Sequence, residues 1–516
     1  MRSLNRFLST ALFLRRRFCT AAALTEAAAE ESSPLPPPPP SSSSSSSKKN
    51  SNSDSLYRQL SRLPATGGKS VSETLNEFIR DGRVPRKDYL DSCIKELRKY
   101  SQFQKSLEIM DWMKMRGMNF SHKDHAIYLH LLSKTKGVSA AENYFHGLSP
   151  FNQNLNTCGA LLHCYCQQGL EDKALAHFKR MEEMNVASTN LAYNGLMSLN
   201  MKLGKPKNVA PLAEEMKQKN ISLSALTYGI LIHSYSCLDD MAGVERVMEE
   251  VKKDDEMKQN WIIYSNLANA YVKAGDFEKA ELALKELEKV MSRSDQEAYH
   301  LLLSVYATTS NIAEVKRIWG ELKSACSVTR NINYLAILQA LSRVGDLVGF
   351  KDIFTEWEGE CSFYDVRLAN VAVKTYLKAD MVEEAELVFE RALKRSLGPF
   401  FKAREMFMSF FLEKQKIDSA MMYMEAAIDE VKDGEWHPSP EIVSKFFEYF
   451  NKKMAIDRAE EFFELLKRVG SCNSTACNLL VQTYITAGKT VPDIRGKLED
   501  HGIEMNNELE NLLVSV

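Results

Sequence analysis

Eight positions of this chain, Gly159, Asn194, Gly229, Ser265, His300, Leu335, Asn370 and Glu405, follow one another at intervals of 35 residues, with a single interval of 36. The same register extends back to Ala126 and Asp91. It extends forward, after a longer step, to Ser444 and Asn478. A period of this length means one supersecondary unit used over and over, so the chain cannot be divided into ordinary globular domains.

The tyrosines show what the unit is. One residue before these anchors stand Tyr193, Tyr228, Tyr264, Tyr299 and Tyr334, and six after them stand Tyr165, Tyr235, Tyr271, Tyr306, Tyr376 and Tyr484. Two columns thus hold 11 of the 19 tyrosines. They lie seven residues apart, two turns of an α-helix, so both project from one buried face. Ten residues after the anchor come Gly169, Gly204, Gly275, Gly345 and Gly488, with Asp239 and Asp380 in the same column. A helix C-terminus that needs positive φ sits there. Five residues further, Ala174, Ala280, Ala385, Ala420 and Ala459 mark a second helix packed close to the first. Neither helix can bury its face alone, so neighbouring pairs must stack. The expected fold is all-α: a right-handed α-α superhelix, or solenoid, of about 12 helix-turn-helix repeats over residues 85–505. Glu435 to Pro440 interrupt the rhythm and read as a lengthened link. Leu509, Leu512 and Leu513 in 506–516 read as a capping helix.

The N-terminus is written differently. Arg2, Arg6, Arg15, Arg16 and Arg17 precede the first acidic residue, Glu26, and Leu4, Phe7, Leu8, Ala11 and Leu12 form a helical stripe. An Arg-rich, acid-poor amphipathic segment reads as a transit peptide, and the stripe favours the mitochondrial matrix over the plastid as destination. Residues 26–69 contain Pro36 to Pro40 and Ser41 to Ser47 and read as a disordered linker. At Ser70 to Glu73 a capping box opens an N-terminal helix within 70–84, stopped by Asp81-Gly82.

Net charge is only −2, so contact with a polyanion must come from a local stripe. No apolar run approaches the ~20 residues of a membrane-spanning helix. The ten cysteines include no C-x-x-C pair, and Cys164 and Cys166 point apart on a helix.

Thr157 to Leu162, Leu191 to Leu196 and Leu226 to Leu231 resemble the opening of pentatricopeptide repeats. Ala270 to Ala280 resembles the turn of that repeat almost unbroken. The uniform pitch resembles the P-type subgroup, and the arrangement behind a transit peptide resembles plant mitochondrial members. The tetratricopeptide repeat, with its pitch of about 34 and its peptide-binding role, fits less well.

The resemblance implies a protein in which each repeat reads one RNA base, through the anchor residue and the residue five before the next anchor. Carried over by position, it pairs Asn194 with Ser224 and Ser265 with Asp295, and adds Asn370 and Asn478 as further base-reading candidates. Gly159, Gly229 and Leu335 depart from the pattern, since none offers a polar side chain to a base. A second column needs no resemblance. Lys99, Lys134, Lys202, Lys273, Arg343, Lys378 and Lys452 stand eight residues after their anchors, where stacked repeats would align them into a stripe for phosphates. Cations near a helix C-terminus also stabilise its dipole.

No catalytic residues, metal ligands or cofactor are expected. Gly67-Gly68-Lys69-Ser70 imitates a phosphate-binding loop, but Leu63 stands where the loop demands glycine. His122, His125 and His130 lack companions that would complete a metal site. The expected function is non-catalytic binding of single-stranded RNA, a mitochondrial transcript, in its stability, processing or translation. The alternative is a protein scaffold, associated with the mitochondrial ribosome or other organellar proteins. No membrane or small-molecule partner is expected.

Overall fold

The computed structural model describes residues 56–63, 70–186, 189–396, 398, 400–431, 436–491 and 494–496. The 25-residue transit peptide, most of the linker and the 506–516 cap lie outside them. Every regular element among the described residues is a helix. Two compact units meet between Ala274 and Gly275.

In the first unit, helix pairs follow the expected register: Lys87–Lys99 with Phe103–Met115, His122–Thr135 with Val138–His146, Leu155–Gln168 with Glu171–Glu183, Asn190–Lys202 with Val209–Gln218, and Ala225–Cys237 with Met241–Val251. Trp261–Ala274 then ends the unit. The second unit opens with Phe277–Val290 and continues through five pairs, from Gln296–Thr308 to Ile456–Arg468, before the single helix Ser474–Thr486. Within each unit the first helix of a pair packs on its second helix, and from His122–Thr135 onward consecutive first helices within a unit pack on each other.

Burial follows the columns. The residue 15 after the anchor is fully buried in eleven repeats, as Ser106, Ala141, Ala174, Val209, Val244, Ala280, Val315, Phe350, Ala385, Ala420 and Ala459. Alanine therefore gives the closest approach, while Phe350 shows that one repeat opens enough to hold a ring. Of the tyrosines, Tyr193, Tyr299, Tyr306, Tyr334 and Tyr484 are buried, whereas Tyr235, Tyr264 and Tyr271 are half-buried. Three of the buried hydroxyls are satisfied by carboxylates of second helices: Tyr193 donates to Glu215 at 2.8 Å, Tyr306 to Glu288 at 2.7 Å and Tyr484 to Glu460 at 3.0 Å.

The turn after each first helix is more uniform than its sequence. Gly169, Gly204, Gly275, Gly345 and Gly488 have positive φ as expected, and so do Asp239 and Asp380. Ser101, Ser310, Gln415 and Met454 occupy the same column and the same left-handed conformation without being glycine or aspartate. Stacking of the two helices imposes this geometry, and the residue accepts it at a cost of order 1 kcal/mol.

Two boundaries differ from expectation. Within the stretch read as linker, Leu56–Arg62 forms a helix whose Leu56 and Leu60 are fully buried. The Lys105 ammonium caps it by donating to the Ser61 carbonyl at 2.9 Å. Compositional bias upstream hid two leucines at i, i+4 spacing. The lengthened link does more than connect: Trp436 stacks on Phe401, with centroids 5.1 Å apart and planes inclined by 10°. Pro440 then starts the next helix, where a missing N–H costs nothing. The Ser70 capping box is formed, with Glu73 Oε2 accepting from the Ser70 N–H at 2.8 Å.

Candidate nucleic-acid interface

The anchor column lies on the first helices, on turns that face the neighbouring repeat. Asn194, on Asn190–Lys202, is 3% exposed. Its amide nitrogen donates to Ser224 Oγ at 3.3 Å and its amide oxygen accepts from Thr227 Oγ1 at 2.9 Å. Ser224 is itself the N-cap of Ala225–Cys237. The pair drawn from the sequence is thus brought together, across a repeat boundary. Both members are already engaged.

The same arrangement recurs. The Glu405 carboxylate accepts from the Ser439 backbone N–H at 3.0 Å, again anchor to the residue five before the next anchor. His300 Nε2 lies 2.7 Å from Asn333 Oδ1, two residues before the next anchor. Thr227 and Asn333 were not singled out from the sequence. Their signal is a polar residue at a position two before the anchor that the fold buries. Ser265 donates to the Ile262 carbonyl at 2.6 Å, within its own helix, and belongs to the first unit while Asp295 belongs to the second. Asp295 accepts from the Ser292 N–H at 3.3 Å. Asn370 and Asn478 are half-buried. Asp365, opposite the apolar anchor Leu335, is held by Arg367 at 2.6 Å, and that guanidinium and its hydrogen bonds offset burial to keep the Asp365 carboxyl below the usual range.

Gly229 has a physical reason to lack a side chain. A Cβ there would meet the Asn266 amide nitrogen at 2.8 Å. That amide donates to the Ile262 carbonyl at 2.9 Å and fills the space an anchor side chain would take.

The cation column behaves differently from the anchors. All seven of its residues are exposed. Several reach back to the C-terminal end of the preceding first helix: Lys202 donates to the Gln167 carbonyl, Lys273 to the Ser236 carbonyl at 2.7 Å, and Arg343 to the Ser304 carbonyl at 3.0 Å. Lys134 instead reaches forward to Gln167 Oε1 at 3.2 Å. The Gln167 carbonyl is one that a helix end leaves open, and all three bonds set a cation at the C-terminal part of a helix, so the dipole effect is present. They leave most donors unused, because an ammonium has three and a guanidinium five. None of Lys99, Lys202, Lys273, Arg343, Lys378 and Lys452 forms an ion pair with a carboxylate among the described residues. Several cations of the second helices are ion-paired. Lys173 pairs with Glu142 at 2.7 Å, Lys217 with Glu250 at 2.9 Å, and Arg317 with both Glu288 and Glu321.

The thiols and histidines do not assemble a site. Burial pushes the Cys164 thiol up to about 11 and the Cys166 thiol up to about 12, which makes both unreactive. His125 is bonded to the Tyr144 hydroxyl at 2.7 Å, and His122 packs on Phe151. Among the described residues no group of three potential ligands could hold a metal ion. No described helix is long and apolar enough to cross a membrane.

Comparison with known proteins places this repeat. A profile described as the pentatricopeptide repeat domain matches residues 149–202 and 211–274, and one described as the PPR repeat matches 262–290. A mitochondrial pentatricopeptide repeat-containing protein of Arabidopsis thaliana is 46% identical over 469 residues, covering 90% of this chain and 87% of its own. A second such Arabidopsis protein is 41% identical, covering 90% of this chain and 92% of its own. The Arabidopsis large ribosomal subunit protein mL101 is 34% identical, covering 90% and 95%. The crystal structure of maize PPR10 superposes with a TM-score of 0.49 at 15% identity, over 77% of this chain and 61% of that one. With identity at this level sustained along nine-tenths of its length, the chain belongs to the pentatricopeptide repeat family.

Proposed function

We propose that this chain binds single-stranded RNA, a mitochondrial transcript, and does so without catalysing a reaction on it. One observation carries the reading: among the described residues six cations of the column, Lys99, Lys202, Lys273, Arg343, Lys378 and Lys452, are exposed and form no ion pair with a carboxylate, while Lys173, Lys217 and Arg317 on second helices do. A surface cation left without a counter-ion along a repeating line suits phosphates at repeating spacing. The names of the two Arabidopsis relatives at 46% and 41% identity supply the compartment, and the Arg-rich segment 1–25 agrees with it. The transit peptide, linker, solenoid over 85–505 and C-terminal cap remain the proposed division of the chain.

In this reading the cations position the strand, and bases are read at few repeats. Asn194 with Ser224, Ser265 with Asp295, Asn370 and Asn478 are the proposed readers. Since Asn194 already holds two hydrogen bonds, a base must exchange them, and exchange yields less selectivity than filling open donors. Filter binding of the full chain to mitochondrial RNA over a salt series tests the proposal. Affinity should fall linearly with salt on logarithmic axes. A flat response sinks it.

The engaged anchors also favour a second reading, in which the repeats hold a protein or structured RNA within a mitochondrial ribosome. The relative named as a large ribosomal subunit protein supports this. Cosedimentation with mitochondrial ribosomes, persisting after nuclease removal of messenger RNA, would select it.

A further inference from the structure

Between the anchor column and the cation column runs a third, four residues after the anchor, that neither the base readers nor the phosphate contacts account for. It is polar in all twelve repeats, from Lys95 and His130 in the first two to Glu448 and Gln482 in the last two. The residue just before it is apolar and buried in every repeat, as Leu129, Met197, Ile232, Leu303 and Leu338 illustrate. A step of one residue therefore leaves the core. Of the polar column, His130 is buried, His163, Ser198, His233 and Ser304 are half-buried, and Asn269 and Gln339 are exposed.

Composition separates this column from an ordinary solvated one. On a second helix such as Glu171–Glu183 the exposed positions carry full charges, as Asp172, Lys173, Lys179, Arg180 and Glu183. In the polar column nine of the twelve residues are His, Ser, Asn or Gln. Each of these types, when uncharged, both donates and accepts a hydrogen bond. The column lies about 6 Å along the helix from each of its neighbours, since four residues rise by 1.5 Å apiece. It also touches both. Asn269 Nδ2 donates to the carbonyl of the anchor Ser265 at 2.9 Å, and Ser304 Oγ accepts from the column cation Arg343 of the next repeat at 3.3 Å. Between repeats the column is continuous where His130 and His163 meet, with ring centroids 6.1 Å apart.

We infer that this middle column contacts the ribose 2′-hydroxyls of a bound strand and makes the protein prefer RNA to DNA. A nucleotide has the order of the columns: base, sugar, phosphate. The 2′-hydroxyl donates and accepts, and it is the group by which a protein tells RNA from DNA. Residues that donate and accept match it, whereas a phosphate would leave their donors' companion acceptors unmet. The inference rests on the RNA reading and explains how repeats with the anchors Gly229 and Leu335 still contribute. Every nucleotide carries the same sugar, so His233 and Gln339 in those repeats need no particular base.

Fluorescence anisotropy of the full chain with one sequence in three forms tests this: RNA, DNA with deoxyuridine for uridine, and 2′-fluoro RNA, which keeps the sugar pucker of RNA without the hydroxyl. RNA should bind about tenfold more tightly than either other form, the size of one or two neutral hydrogen bonds. The phosphates are common to all three, so each should lose affinity with salt. Ser198→Ala, Asn269→Ala and Gln339→Ala combined should narrow the preference to about threefold or less and leave the salt slope of RNA binding unchanged, because no charge is lost. Gln339→Ala alone, at an exposed position, should narrow it in the same direction if the combined variant melts early. Equal affinity for RNA and DNA, or for RNA and its 2′-fluoro form, overturns the inference and leaves the RNA reading standing. A preference undiminished in the folded variants overturns it too. Binding of none of the three forms overturns the inference and the RNA reading together and gives these columns to a protein partner.

Discussion

Asn194 and Ser224 are hydrogen-bonded to each other at 3.3 Å although 30 residues separate them, which makes the base-reading pair a seam between two repeats. A residue in such a seam has a structural effect that can be measured before any RNA is added. Asn194→Ala removes both the donor to Ser224 and the acceptor for Thr227, and leaves a buried hydroxyl with one partner fewer. The expected loss is about 1–3 kcal/mol in urea unfolding. Ser224→Ala should cost less, ~1 kcal/mol, through the helix cap it also provides. If Asn194→Ala unfolds at the wild-type urea concentration, the seam contributes nothing and the asparagine is free to read a base.

A second expectation separates phosphate positioning from base reading. Replacing Lys202, Lys273, Arg343 and Lys378 together by Gln should weaken binding to every RNA sequence alike. The slope of log affinity against log salt should shrink by roughly 0.7 for each lost contact. Because three of these residues also donate to carbonyls of the preceding first helix, a modest fall in melting temperature is expected. A fall in melting temperature with unchanged RNA affinity would leave the column with its dipole role alone.

The repeat register was legible because a buried column admits few residue types, so tyrosine, leucine and alanine recur at one spacing. The fold class follows from that alone. What a side chain does across a repeat boundary was not legible. Asn194 and Asn370 are the same residue in the same column, yet the first sits beside a serine and a threonine that occupy its amide. Opposite Asn370 stands the buried Phe400. The departure at Gly229 was visible, but its cause, the Asn266 amide of the next repeat, is a contact between columns that spacing cannot show. The placing of His130 against His163 on the next first helix was not legible either, because a contact between rings of different repeats exists only in three dimensions.

Turn geometry yields a stabilising substitution. Met454 sits at φ 50° and ψ 36° and is 62% exposed, so it carries left-handed strain without burying its side chain. Met454→Gly should raise stability by about 0.5–1 kcal/mol, the strain relieved less the added freedom of the unfolded chain. Gly345→Ala, at φ 80° with space for a methyl group, should lower it by ~1 kcal/mol through strain alone. Thermal unfolding of both variants checks the pair. Destabilisation by Met454→Gly would mean the methionine makes a contact that outweighs its backbone strain.

The His130–His163 contact also sets a pH dependence. Burial, with the charges of Arg98 and Lys134 and the neighbouring His163, pushes His130 down to about 3, and burial with Lys134 pushes His163 down to about 4. An unfolded histidine titrates near 6.5. Between about pH 6.5 and these lower values the unfolded chain binds protons that the folded first unit refuses, so stability must fall as pH falls. The contribution is fully present above about pH 6.5 and is lost progressively towards pH 3–4. Melting temperatures measured from pH 8 to pH 5 should decline, and His130→Gln should flatten that decline, since glutamine has no proton to gain. A decline that is equally steep in His130→Gln would place its origin in carboxylate pairs instead, such as Lys87 with Asp124 in the same unit.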